Sequence, residues 1–134
     1  MNAPSEDIKD MLVSESSLGL EFADNLFIGK EPVTPKNVVT IFDTYGHPPK
    51  LTLQGKGEEY YYPSIQIRVR STAYLTGWNL INNIMSQLHG RAQETWNGTL
   101  YSVIYCASGP ALLDWDDNGN CRHVCNFNIQ RRLV

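Results

Sequence analysis

The sequence predicts an α+β fold: a mostly antiparallel sheet packed against one long helix, with a second, short helix at the N-terminus. Three patterns carry that expectation. Ile65, Gln66, Ile67, Arg68, Val69 and Arg70 alternate apolar and polar side chains, the period of a strand with one buried face. Leu75, Trp78, Ile81, Met85 and Leu88 then recur at helical spacing, with Leu80 and Ile84 widening the stripe and Asn79, Asn82, Asn83, Ser86 and Gln87 marking a wet side. Near the end, Cys121, His123, Cys125, Phe127 and Ile129 repeat with period two and are expected to point inward, with Arg122, Asn126, Asn128 and Gln130 outward.

At 134 residues, with 42% apolar and 19% charged side chains, the chain reads as one globular domain over 1–134. A net charge of −3 gives no clustered basic face for binding nucleic acid. No apolar run approaches the roughly 20 residues of a membrane span. The start of the chain lacks the pattern of a signal peptide, so the three cysteines are expected to be reduced thiols in a cytosolic setting.

In chain order, Ser5 to Ser16 reads as the short helix, with Ser5 as cap, Glu6 and Asp7 in the first turn, and Ile8, Met11 and Leu12 on one face. Asn25 to Gly29 and Val38 to Phe42 read as strands, the second apolar enough to be covered on both faces. Asp43 to Pro49 reads as loop. Leu51 to Tyr62 reads as a hairpin tip turning at Gly55-Lys56-Gly57; the glycine spacing lacks the Lys-Ser/Thr and following helix of a phosphate loop. Three consecutive rings at Tyr60, Tyr61 and Tyr62 cannot all enter one core from an extended backbone, so at least one should face solvent or a partner. Ser71 and Thr72 can cap the long helix, and Gly90 stands where a left-handed residue should end it. Thr99 to Cys106 reads as a strand stopped by Ser108-Gly109-Pro110, Asp114 to Asn120 as a turn, and Cys121 to Arg131 as the last strand.

These residues bear on three chemistries. Cys121, His123 and Cys125, with Cys106 nearby, resemble a zinc set by composition. Along a strand, however, positions 121 and 125 lie about 13 Å apart, too far to share one ion. Asp114, Asp116, Asn118 and Gly119 match the opening of a calcium loop, but Cys125 stands where the bidentate acid is required, and Asn-Gly turn chemistry explains the same residues. His47, His89 and His123 fall in no motif that singles out a nucleophile or an acid–base pair. No catalytic residue, metal or cofactor is expected, and the chain is read as non-enzymatic.

The layout of helix, strands, long loop, Ile65–Arg70 strand, Leu75–His89 helix and two-strand return resembles the tail terminator and minor capsid proteins of long-tailed bacteriophages. So does the texture of Tyr62-Pro63-Ser64-Ile65-Gln66-Ile67-Arg68-Val69-Arg70, of Gly77-Trp78 through Leu88, of Trp96-Asn97-Gly98-Thr99 and of Phe127 to Arg132. The resemblance spans roughly Asn25 to Val134. It implies a virion structural protein assembled in the host cytoplasm, forming a hexameric ring at the head-proximal end of the tail. Such a ring ends tube polymerisation and joins the tail to the head connector. The partners implied are further copies of itself, the tail tube protein and a connector or head-completion protein, with DNA only passing through the lumen and no membrane. Candidate interface residues are Tyr60, Tyr61 and Tyr62, the strand face of Arg68 and Arg70 (expected to be exposed), the Tyr45–Gly57 loop with His47 and Lys56, the acidic N-terminal segment, and Arg131 and Arg132. A head-completion protein and a small ligand-binding domain are the alternatives.

Overall fold

The computed structural model describes residues 1–51 and 59–134. The hairpin tip expected around Gly55–Gly57 therefore lies outside the described residues, as does Lys56. The described elements are helix α1 (Pro4–Ser14), a short 3-10 turn (Ser16–Leu18), strands β1 (Leu26–Ile28), β2 (Val38–His47) and β3 (Tyr62–Ser71), helix α2 (Tyr74–Leu88), and strands β4 (Arg91–Trp96), β5 (Thr99–Trp115) and β6 (Cys121–Leu133). They form one sheet in the order β1-β2-β3-β6-β5-β4, with β1 parallel to β2 and every other pair antiparallel.

The expected α+β class is corrected by this architecture. Of the described residues 49% are strand and 23% helix, and a curled, mixed, six-stranded sheet rather than one long helix against a sheet defines the fold, which is mostly β. The physical reason is that segments read as loops are strand. β2 runs through Asp43 to His47, and β5 continues past Ser108-Gly109-Pro110 to Trp115. The glycine and proline there shift the register against β6 instead of ending the pairing. Arg91–Trp96, a further strand, carries no apolar alternation and lies at the sheet edge.

The register places the core. Ile65 lies opposite Phe127, Ile67 opposite both Ile41 and Cys125, and Val69 opposite Val39 and His123, so the apolar sets of three strands share one face. Ile81, Ile84 and Leu88 of α2 and Ile8, Met11 and Leu12 of α1 complete the core over that face. Each such fully buried aliphatic side chain contributes about 1.5–3 kcal/mol. The buried stripe of α2 is Gly77, Ile81, Ile84 and Leu88; Leu75, expected on it, is 70% exposed. The stripe is rotated because Gly77 sits tightly against β6, where its missing side chain faces the His123 ring.

Both helix starts differ from the serine caps expected. Ala3 and Ala73 occupy the cap positions without side-chain bonds. For α1 the carboxylate comes from another element: Asp43, paired with Ile65 on the core side of β2, accepts from Ser5 N (3.0 Å) and Ser5 Oγ (2.7 Å). That arrangement satisfies a free first-turn amide and places negative charge at the helix start. At the other end of α2, Gly90 has φ +89°, the left-handed residue after the C-cap that its position called for.

Candidate assembly surfaces

The strand face of Arg68 and Arg70 is not a single exposed face. Arg70 is buried: it pairs with Glu31 at 2.7 Å and donates to the carbonyls of Pro32 (2.7 Å), Pro35 (2.8 Å), Val33 (3.1 Å) and Lys36 (3.1 Å). One guanidinium thus gathers the whole Glu31–Lys36 segment, whose prolines leave carbonyls without a ladder partner. The exposure expected of Arg70 is corrected accordingly. Arg68 is half-buried, its Nε donating to Gln66 Oε1 at 2.7 Å and its guanidinium lying 4.8 Å from the Phe42 ring centroid.

These two arginines border an open polar cleft of about 840 Å³ between the Glu31–Lys36 segment and the end of β5 with the Asp116–Asn120 turn that follows it. Glu31 also accepts from Arg122 at 3.1 Å, and Arg122 reaches Asp114 at 3.2 Å. The turn itself is ordered by Asp116, whose carboxylate accepts from the amides of Asn120 (2.8 Å) and Asn118 (2.9 Å). Those hydrogen bonds, led by the one from Asn120, hold the Asp116 carboxyl below its ordinary range. Among the described residues no group of three or more His, Cys, Asp or Glu side chains is placed to hold a metal ion.

Four of the candidate interface residues come together elsewhere. His47, Tyr61, Tyr62 and Arg131 line an open groove of about 320 Å³ with Thr44, Gly46, Pro48 and Pro63. The groove exists because β2 and β3 close tightly there: a side chain on Gly46 would stand 2.0 Å from the Tyr62 carbonyl. Tyr61 adds a bridge to β6, exchanging backbone bonds with Arg131 at 2.7 and 3.0 Å. His47 and Tyr61 are exposed, Tyr60 and Tyr62 half-buried, and the neighbouring Tyr45 ring is fully exposed. Arg132 is half-buried on β6 and donates to the Leu133 carbonyl at 3.2 Å.

Arg131 has a second, interior role that its sequence position did not reveal. Its guanidinium is buried, 3.8 Å from Asp7, and donates to the Tyr101 hydroxyl (3.2 Å) and the Asn2 carbonyl (2.9 Å). Tyr101 in turn donates to the Asp7 carboxylate, which also accepts from Asn97 at 2.7 Å. Burial, with the hydrogen bond to Asp7, pushes the Tyr101 phenol well above its ordinary value. The N-terminal acids are therefore divided: Asp7 is interior, Glu15 pairs with Arg91 at 3.4 Å, and Glu6 and Asp10 flank Lys9. A further surface, missed because Ser108-Gly109-Pro110 read as a strand end, joins α2 to the far end of β5. There Tyr74 stacks on Trp115 at 6.3 Å; Leu75 on α2 and Leu112 and Leu113 on β5 are also exposed.

The sheet thus spends its polar side chains on ordering loops and bordering open grooves. The chain belongs to the bacteriophage tail terminator protein family, whose sequence profile matches residues 6–132. It is a structural component of the phage tail and of the virion. Among curated proteins none is significantly similar to it in sequence. Among the described residues no helix is long and apolar enough to cross a membrane.

Proposed function

We propose that the chain forms a closed ring of six copies at the head-proximal end of the tail, ends tube polymerisation there and joins the tail to the head connector. The observation that carries this reading is the family match over nearly the whole chain. A ring needs a heterologous interface, two different patches on each copy that complement one another and close. The groove bordered by His47, Tyr61 and Tyr62 supplies an aromatic patch, and the Glu31–Arg122–Asp114 cleft supplies one of mixed charge. Tyrosine buries large area at low rotamer cost, and complementary charge fixes register. Tail tube protein and a connector or head-completion protein are the proposed axial partners, DNA passes through the lumen without specific contact, and no catalytic step is involved.

The test is addition of the purified chain to separated tails lacking it and to separated filled heads. Saturable binding to tail ends that limits tube length is expected. Binding to heads with none to tails would instead assign it to head completion, and a melting shift with small molecules alone would favour a ligand-binding domain.

A further inference from the structure

Cys106 on β5 and Cys125 on β6 bring their Sγ atoms to 3.3 Å across 19 residues of sequence. Diagonal neighbours on two antiparallel strands sit about 7–8 Å apart between backbones, with their side chains closer. The ladder beside this pair is interrupted. Cys106 lies opposite Phe127, and the register then shifts between Cys106 and Ser108 and again before Ala111. Gly109 lets β5 lie directly over Cys125, since a side chain there would stand 3.2 Å from Cys125 Cα and 2.7 Å from the Val124 carbonyl. The Cys106 sulfur leans along the same stretch, 3.5 Å from the Gly109 carbonyl. Cys106 is half-buried and Cys125 fully buried. The third thiol, Cys121, is engaged separately, donating to the Ser71 carbonyl at 3.3 Å.

We propose that Cys106 and Cys125 are a disulfide-forming pair, a reversible covalent clasp of β5 to β6 that closes by exchange with a small-molecule disulfide. Closing it requires the sulfurs to move from contact to about 2.05 Å, and the irregular pairing of β5 with β6 between Cys106 and Ala111 supplies that freedom. Cys106 is the point of entry because it alone of the pair has access to solvent. Its thiolate attacks one sulfur of the small disulfide, forming a mixed disulfide and releasing one small thiolate, which takes up the proton that Cys106 gave to solvent. The Cys125 thiolate then attacks Cys106 Sγ, the mixed disulfide breaks, and a second small thiol leaves. Two protein thiols are oxidised and one small disulfide is reduced to two thiols. Burial and the neighbouring Cys106 sulfur push the Cys125 thiol up, which makes it the slow, resolving partner. The clasp stays open in a reducing compartment and closes in an oxidising one.

The test uses the folded full chain, reduced, freed of reductant and exposed to oxidised glutathione, followed by alkylation, intact mass and peptide mapping. The expected result is loss of two hydrogens, a Cys106–Cys125 cross-linked peptide, alkylation at Cys121 alone, and a melting temperature several degrees higher that dithiothreitol reverses. Cys106→Ser should fold, give no cross-link and show no oxidant-dependent melting shift. Three alkylatable thiols, a glutathione adduct left standing on Cys106, or a cross-link through Cys121 would each overturn the proposal.

Discussion

Arg70 and Glu31, 39 residues apart, meet at 2.7 Å in the interior, and the same guanidinium serves four carbonyls of the segment that Glu31 begins. Removing Arg70 leaves Glu31 with Arg122 alone as its cation and strips the donor from four carbonyls. Arg70→Met is expected to cost about 3–5 kcal/mol, and Arg70→Lys should recover only part, because an ammonium cannot reach the same fan of acceptors. Arg68→Ala, which loses one side-chain bond and a cation–π contact, should cost about 1 kcal/mol. Urea denaturation of the three variants checks this; a wild-type midpoint for Arg70→Met would contradict it.

Gly77 is expected to resist the substitution that ordinarily stabilises helices. Gly→Ala in a helix interior gains about 1 kcal/mol. Here the added carbon would lie 2.9 Å from His123 Nδ1 and 3.0 Å from Ser71 Cβ. Overpacking of this kind costs about 1–3 kcal/mol, so Gly77→Ala should be destabilising on balance. Pairing it with His123→Ala should remove most of that penalty, a coupling a double-mutant cycle would measure.

His123 makes stability depend on pH. The ring is fully buried, meets the rings of Tyr74 (4.7 Å) and Trp78 (5.8 Å) edge-on, and has no hydrogen-bond partner on either nitrogen among the described residues. Desolvation lowers its pKa from the ordinary 6.5. The unfolded chain then takes up a proton at higher pH than the folded one, so this contribution is fully present above about 6.5 and is lost as pH falls below it. The urea midpoint should drop between pH 8 and pH 5.5, and the drop should be smaller in His123→Phe. Equal drops in both proteins would reject this assignment.

Tyr101→Phe isolates the buried polar cluster. The hydroxyl donates to Asp7 and accepts from Arg131, so its loss strips one bond from each of two buried charged groups. A cost of at least about 1–3 kcal/mol is expected, read as a lower melting temperature. An unchanged melting temperature would mean that Asp7 and Arg131 satisfy one another without it.

Much of the central sheet was legible. The period-two runs of β3 and β6 set the core face, and Gly90 and the Asp116–Asn120 turn act through local backbone chemistry that short stretches of sequence encode. What escaped notice depended on distant partners. Nothing around Arg70 distinguishes a solvent-facing arginine from one whose acceptors lie 34 to 39 residues away. Asp43 read as loop because its role as a cap for Ser5 exists only across the fold. Ser108-Gly109-Pro110 carries the residues of a strand end, yet β5 has a strong partner in β6 and absorbs them as irregularities. Among the candidate interface residues, those of the β2–β3 groove share one place, while Arg70 and the side chain of Arg131 serve the interior.

Native mass spectrometry of the purified chain, run beside negative-stain imaging, addresses ring assembly most directly. Six copies in a closed annulus are expected at micromolar concentration or on addition of tail tube protein, with Tyr45→Asp and Tyr61→Asp folding normally yet weakening that species. A chain that stays a single copy under both conditions, or those two variants assembling as the parent does, would contradict the account.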